Sequence, residues 1–317
     1  MKRHLAFSLW IGAAVLLFAA SLAAQEFSLQ GSNEARWADG RERLGTIESA
    51  KRYFENRLNM DLYFDRLRFG TRFTVLQPSE FGQALPRTET LEKRFLEYRS
   101  PDESVRLRAG DFYTGWGRGL TLALVEDINQ GFDSGLDGVL ASGDFGPLHA
   151  EALSGRSRAG FLGLVREAQV NGAHLAAGLP FGLRAGAQVM QVLPAAASGS
   201  YDESSTWGGY LSYDGSSVSL WAETALEAIT GRDDTFDATY LSASWYGGAV
   251  GIALDYKNYN YFRYGSGPIG AGSIYSQSVD ILPFHSAPIV QREATSPLFG
   301  KHPHIVRYED EVGVQLE

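Results

Sequence analysis

Apolar and polar residues alternate along most of this chain with a period of two, not with the 3.6-residue period of a helix. The clearest run is RLNMDLYFDRLRFGTRFTVLQP (Arg57–Pro78). Leu58, Met60, Leu62 and Phe64 fall on one face, and Arg57, Asn59, Asp61 and Tyr63 on the other. After a turn at Asp65-Arg66 the alternation resumes, with Leu67, Phe69, Thr71, Phe73 and Val75 set against Arg68, Gly70, Arg72 and Thr74. Successive side chains of a strand point to opposite faces, so this pattern predicts a hairpin with one greasy face and one polar face.

The grammar repeats. Trp207–Tyr213 and Ser216–Ala228 flank Asp214-Gly215, and Asp237–Tyr246 and Ala249–Lys257 flank Gly247-Gly248. Gln169–Leu179 and Leu183–Leu193 flank Pro180-Phe181-Gly182, and Val139–Ser142 and Leu148–Leu153 flank Gly143–Pro147. About fifteen strands of roughly ten residues, joined by tight turns, predict an all-β antiparallel meander. Two segments interrupt it. Ser79–Thr90 reads as a polar loop. Asn258–Pro303, rich in Pro and Gly, reads as a long loop outside a barrel or a plug folded into its lumen.

The N-terminus adds a location. Lys2, Arg3 and His4 precede an apolar run from Leu5 to Ala20, and Ser21–Ala24 supplies small residues. This reads as a secretory signal peptide over 1–24, cleaved to leave a β-barrel domain over 25–317. An exported chain of long alternating strands implies an outer-membrane barrel. Aromatics at strand ends (Tyr63/Phe64, Tyr210/Tyr213, Trp245/Tyr246 and Tyr256/Tyr259/Tyr261/Phe262) are expected to form its interfacial girdles. The chain of 317 residues carries 28 Lys+Arg and 37 Asp+Glu, and removing Lys2 and Arg3 leaves 26 − 37 = −11. That balance argues against a nucleic-acid partner. The absence of Cys excludes disulfides and thiolate metal sites.

The stretch RLRAGDFYTGWGRGLTLAL (Arg106–Leu124) contains Gly115, Gly117 and Gly119, spaced like a phosphate-cradling loop. Such a loop needs a helix after its glycines. Here Leu120, Leu122 and Leu124 alternate with Thr121, Ala123 and Val125, so another strand is expected. The glycines then mark a bend where backbones or aromatic rings pack closely.

In a barrel the greasy face meets lipid and the polar face meets the lumen. This parity places Arg57, Arg68, Arg72, Arg106 and Arg108 inside, with Arg118 in the next strand near its bend. These six are the candidate pore-lining residues, able to attract anions. The competing expectation is that they pair with lumenal carboxylates such as Asp61 and Glu55. The acid-rich turns Asp133–Asp137, Gly231–Asp237 and Tyr308–Glu311 lack the spacing of a calcium loop and read as solvated turns. His302 and His304 have no third placed ligand and, with His285, are expected along the long loop. No nucleophile elbow is present, and no catalytic residue, metal or cofactor is assigned.

The run Ala109–Leu120, together with Asn33-Glu34, Tyr53–Asn56, Gln291–Leu298, Lys301–His304 and Tyr308–Glu317, resembles an uncharacterised family of bacterial outer-membrane β-barrel proteins, a domain of unknown function. The resemblance covers most of the mature chain and implies fold and location, not chemistry. Members of such families are longer, bacterial barrels end on an aromatic residue, and an odd strand count does not close. The barrel is therefore expected to continue beyond Glu317. The leading expectation is a porin-like channel or transporter, not an enzyme, with outer-membrane lipid and small solutes or ions as partners. A structural or assembly protein with a plugged lumen is the alternative, and a membrane-embedded hydrolase a third.

Overall fold

The computed structural model describes residues 27–44, 47–80, 88–128, 132–161, 164–194, 203–230, 235–248, 250–260, 284–285 and 310–316. They form β1 (Phe27–Leu44), β2 (Ile47–Phe64), β3 (Leu67–Leu76), β4 (Thr88–Arg99) and β5 (Val105–Phe112). Four two-residue strands follow: β6 (Gly115–Trp116), β7 (Leu122–Ala123), β8 (Glu126–Asp127) and β9 (Phe132–Asp133). The long strands resume with β10 (Leu136–Phe145), β11 (Leu148–Phe161), β12 (Leu164–Gly178), β13 (Leu183–Pro194) and β14 (Ser204–Asp214). The last are β15 (Val218–Ile229), β16 (Thr235–Gly247), β17 (Val250–Asn260) and β18 (Asp310–Leu316).

The long strands make one antiparallel sheet in chain order, broken only where β5 pairs with β10. The all-β meander expected from the alternation is therefore present, and its hairpin turns stand where they were read, except that β10 runs on through Gly143–Phe145 and narrows that turn to Gly146-Pro147. Among the described residues the path holds fourteen long strands, an even number against the odd count expected. Asn258–Asn260 belongs to β17, so the long connection starts later than the sequence suggested.

The two faces differ in chemistry. One face is bare and apolar, with Leu107, Val139, Leu175, Leu211, Leu226 and Ile252 all exposed. The opposite face is covered by the described residues of the segment joining β5 to β10, here called the strap (113–128 and 132–135). The alternation Leu120, Leu122, Leu124 was expected to build a wall strand. Instead β7 pairs only with β6, in a two-stranded sheet of its own. All three leucines are buried. Their apolar side packs inward on the covered face, where a wall strand would have turned it outward.

Aromatic placement also departs from expectation. Trp245 and Tyr246 are exposed, as girdle residues would be. Tyr210 and Tyr259 are buried on the covered face, and Tyr210 stacks on Trp221 with ring centroids 4.8 Å apart. Tyr261 and Phe262 lie outside the described residues, as do His302, His304 and residues 231–234.

Candidate functional site

The strap is held at its root and at its tip. At the root, Arg72 of β3 pairs with Glu126 of β8 at 2.6 Å. Lys93 of β4 pairs with the same Glu126 at 2.5 Å and with Asp133 of β9 at 2.9 Å. Tyr113 accepts a hydrogen bond from Lys93 and donates its hydroxyl to Asp133 Oδ1 at 2.9 Å. Burial, reinforced by Asp133 and Glu126, pushes the Tyr113 phenol well above its usual range and keeps it a donor. Asp133, expected in a solvated turn, is thus part of the root anchor.

At the tip, Trp116 Nε1–H donates to Glu151 Oε1 at 2.6 Å, and Thr114 donates to the same oxygen at 2.7 Å. The Trp116 ring lies over Gly172 of β12, where a Cβ would sit 2.6 Å from it, and stacks on His174 at 5.8 Å. Beyond Trp116 the chain reverses through Gly117 and Gly119, both at positive φ. The backbone N–H of Arg118 then donates to Glu223 Oε2 at 2.6 Å. Glu223 also receives Gln188 Nε2 at 3.1 Å and Trp221 Nε1 at 3.2 Å. A Cβ on Gly117 would stand 2.5 Å from Glu223 Oε1. The glycine loop that looked like a phosphate cradle therefore receives a carboxyl group of the chain's own sheet, through the Arg118 N–H.

Apolar packing completes the strap. Phe112, Trp116, Leu122 and Leu124 form one buried cluster with Leu136, Leu140, Leu153, Val170, Met190 and Val192 of the sheet. Leu120 belongs to a second cluster with Ala225, Ala238, Tyr240 and Tyr259. The long connection after β17 reaches the same place. Phe284 sits in the first cluster and accepts the Ala123 N–H at 2.7 Å. His285 Nδ1–H donates to the Leu120 carbonyl at 2.6 Å.

Burial lowers His285 to about 4. An unfolded His titrates near 6.5. Between those values the unfolded chain binds more protons, so this contact loses stability as pH falls from about 6.5 to about 4. Proteolysis of the connection is expected to accelerate over that window, and His285→Gln is expected to flatten the dependence. Limited digestion at pH 7 and pH 4.5 checks it.

The six expected pore-lining arginines divide by role. Arg57 is buried and pairs with Glu55 at 3.1 Å, and Arg68 pairs with Asp61 at 3.0 Å. Arg108 pairs with Glu97 at 3.4 Å and lies 3.5 Å over the Phe95 ring. Arg72 anchors the strap. Arg106 stands beside Arg99 across β4 and β5, and its Nε has no hydrogen-bond partner among the described residues. Arg118 is at the strap tip, not in a wall strand, with its guanidinium 5.1 Å over Trp221. The competing expectation of carboxylate pairing thus describes four of the six.

Glu126, Glu151, Glu223 and Lys93 were not singled out from the sequence. Their only local signal was a charged residue on the polar face of an alternating strand. The contacts that tie the strap to the sheet, Lys93 to Glu126, Trp116 to Glu151 and Arg118 to Glu223, span 33, 35 and 105 residues, beyond the reach of strand periodicity.

Among solved structures, OpdO of Pseudomonas aeruginosa is similar at 13% identity, with a TM-score of 0.48 over 77% of this chain and 67% of that one. OccAB4 of Acinetobacter baumannii gives 11% identity and 0.41 over 73% and 66%. The anion-selective porin from Comamonas acidovorans gives 12% and 0.36 over 76% and 91%. This chain thus spans about two-thirds of the first two. A search of curated proteins returned no match. The family described as a family of unknown function (DUF6029) matches residues 1–191, more than half of the 317, and the chain belongs to that family.

Proposed function

We propose that this chain is the wall of a bacterial outer-membrane β-barrel. It works there as a porin-like channel for small polar solutes, narrowed from within by the strap. The observation that carries the reading is the inversion of the two faces. The bare face exposes Leu and Val along strand after strand, while charged Arg57, Lys93, Glu97, Glu151 and Glu223 are buried on the covered face. In water so large an apolar surface would drive association. In a bilayer it is the surface that meets lipid.

Strand length supports the same reading. A tilted strand needs about 9–11 residues to cross a bilayer. β13 to β17 run to 11, 12 or 13 residues. The connections at one end are all of five residues or fewer, such as Asp65-Arg66 and Gly146-Pro147, whereas the other end holds every longer one, including those after β3, β5 and β17. Short turns face the periplasm in such barrels, which orients the chain. Arg68, Arg99, Arg106 and Arg108 then gather on the covered face near the periplasmic mouth, against Glu97 and Asp61. That excess of base favours anions at this mouth, although the whole chain is acidic.

The plugged-lumen alternative has one observation of its own, the docking of Phe284–His285 on the strap. Planar-bilayer recording separates the two. A channel gives measurable conductance with a reversal potential biased toward anions. Arg106→Ala combined with Arg108→Ala is expected to move that potential toward cation preference and leave the fold intact. An electrically silent full-length protein in lipid would overturn the channel and leave the plug.

A further inference from the structure

Beneath the strap, the inward positions of β14 carry a row of buried polar groups with no hydrogen-bond partner among the described residues. Thr206 is 0% exposed and Ser204 2%, and neither hydroxyl has a hydrogen-bond partner among the described residues. Thr121 of the strap, also 0% exposed, has a hydroxyl in the same condition. So has the Gln188 side-chain oxygen, because the Gln188 amide nitrogen is committed to Glu223.

These groups are neighbours. A Cβ on Gly208 would stand within contact of both the Thr121 hydroxyl and the Gln188 amide, so the two side chains meet over that glycine. Thr206 and Ser204 follow on the same strand and face, two residues apart. Same-face residues of a strand are about 6.8 Å apart. One water accepting from one hydroxyl and donating to the next spans at most about 5.6 Å, so each step takes a short chain of about two waters. The row is flanked by acid and grease: Glu227 stands across from Thr206 on β15, and Met190 across from it on β13.

We infer that this row binds a file of ordered water, running from Gln188 and Thr121 along Thr206 to Ser204. Four buried polar groups in line are the setting in which internal water is retained, since each molecule gains two to four polar partners. A cation would need its oxygens to converge on one point. These are strung along a strand, which suits water in single file. The file is an aqueous thread between two apolar clusters, and it passes under the strap without the strap moving.

Met190 supplies the reporter. It is 0% exposed and paired in register with Thr206, and Met60 on the bare face is an internal reference. Synchrotron radiolysis of the folded, full chain in lipid turns bound water into hydroxyl radicals in place, which oxidise the nearest thioether. Met190 is expected to oxidise promptly despite its burial. Thr206→Val and Thr121→Val, each near-isosteric, are expected to cut that labelling about fivefold, leaving Met60 unchanged. Met190 that stays unlabelled, or is labelled equally in wild type and variants, overturns the inference. Thermal stability gives a second reading. A hydrated hydroxyl makes Thr206→Val less stable, whereas a dry one makes it more stable, and a rise in melting temperature overturns the file.

Discussion

Trp116→Ala is expected to lower folding stability by about 4 kcal/mol, the scale set by truncating a buried aromatic. The residue is 2% exposed and sits in the larger apolar cluster. Removing the indole leaves a cavity above Gly172, where no side chain can fill the space. It also takes from Glu151 its 2.6 Å donor, and a buried carboxylate that loses a donor adds its own penalty. Trp207→Ala is the control, because Trp207 lies exposed on the bare face. Its loss in lipid costs transfer free energy but opens no cavity. Denaturant titration of the protein refolded into liposomes measures both. A Trp116 variant no less stable than the Trp207 variant would mean that the strap does not pack as described.

Gly117→Ala is the second large effect, at about 3 kcal/mol, and it acts through geometry with no loss of buried area. Gly117 has φ +58, a region that side chains with a Cβ rarely adopt. The new methyl would fall 2.5 Å from a carboxylate oxygen of Glu223, itself held by three N–H donors from Arg118, Gln188 and Trp221. The tip must lift, and Glu223 then loses the Arg118 N–H. If the strap narrows a passage, single-channel conductance rises together with the loss of stability. Arg72→Ala is expected to raise conductance in the same direction, because it frees the root from β3. Gly146→Ala provides the contrast: it also has positive φ, but its Cβ meets nothing within 4 Å. Equal conductance changes in Gly117→Ala and Gly146→Ala would separate the glycine loop from any gating role.

These two residues also show what kind of information the chain carries where. Nothing local distinguishes Gly117 in its glycine-spaced run from a nucleotide loop, except that the residues after it alternate instead of turning helical. That observation rejects the helix. It could not reveal Glu223, whose position in the sequence is 105 residues beyond Arg118. The alternation after Gly119 was equally ambiguous. A period of two says that one side of a segment is apolar, and says nothing of whether that side meets lipid or the inner face of the same sheet. Leu120, Leu122 and Leu124 took the second course because the chain between β5 and β10 crosses the sheet instead of extending it.

The arginines make the same point through charge. Strand parity correctly set Arg57, Arg68, Arg72, Arg106 and Arg108 opposite the bare face, because a one-residue shift would exchange every side chain between the faces. Parity could not assign partners. Arg57 and Arg68 meet carboxylates within their own hairpin, at Glu55 and Asp61, and short-range reading did suggest those acids. Arg72 meets Glu126, 54 residues on, and so becomes an anchor in place of a free pore charge.

The sequence by itself determined the strands, their turns, the antiparallel order and which residues share a face. Those follow from side-chain alternation and turn chemistry, which act over a few residues. Only the tertiary structure decided that the glycine-rich segment lies across the covered face, which carboxylates receive it, and which arginines pair with a carboxylate. Those depend on contacts between residues far apart in the chain, where the free energy comes from burial and charge pairing and no local period records it.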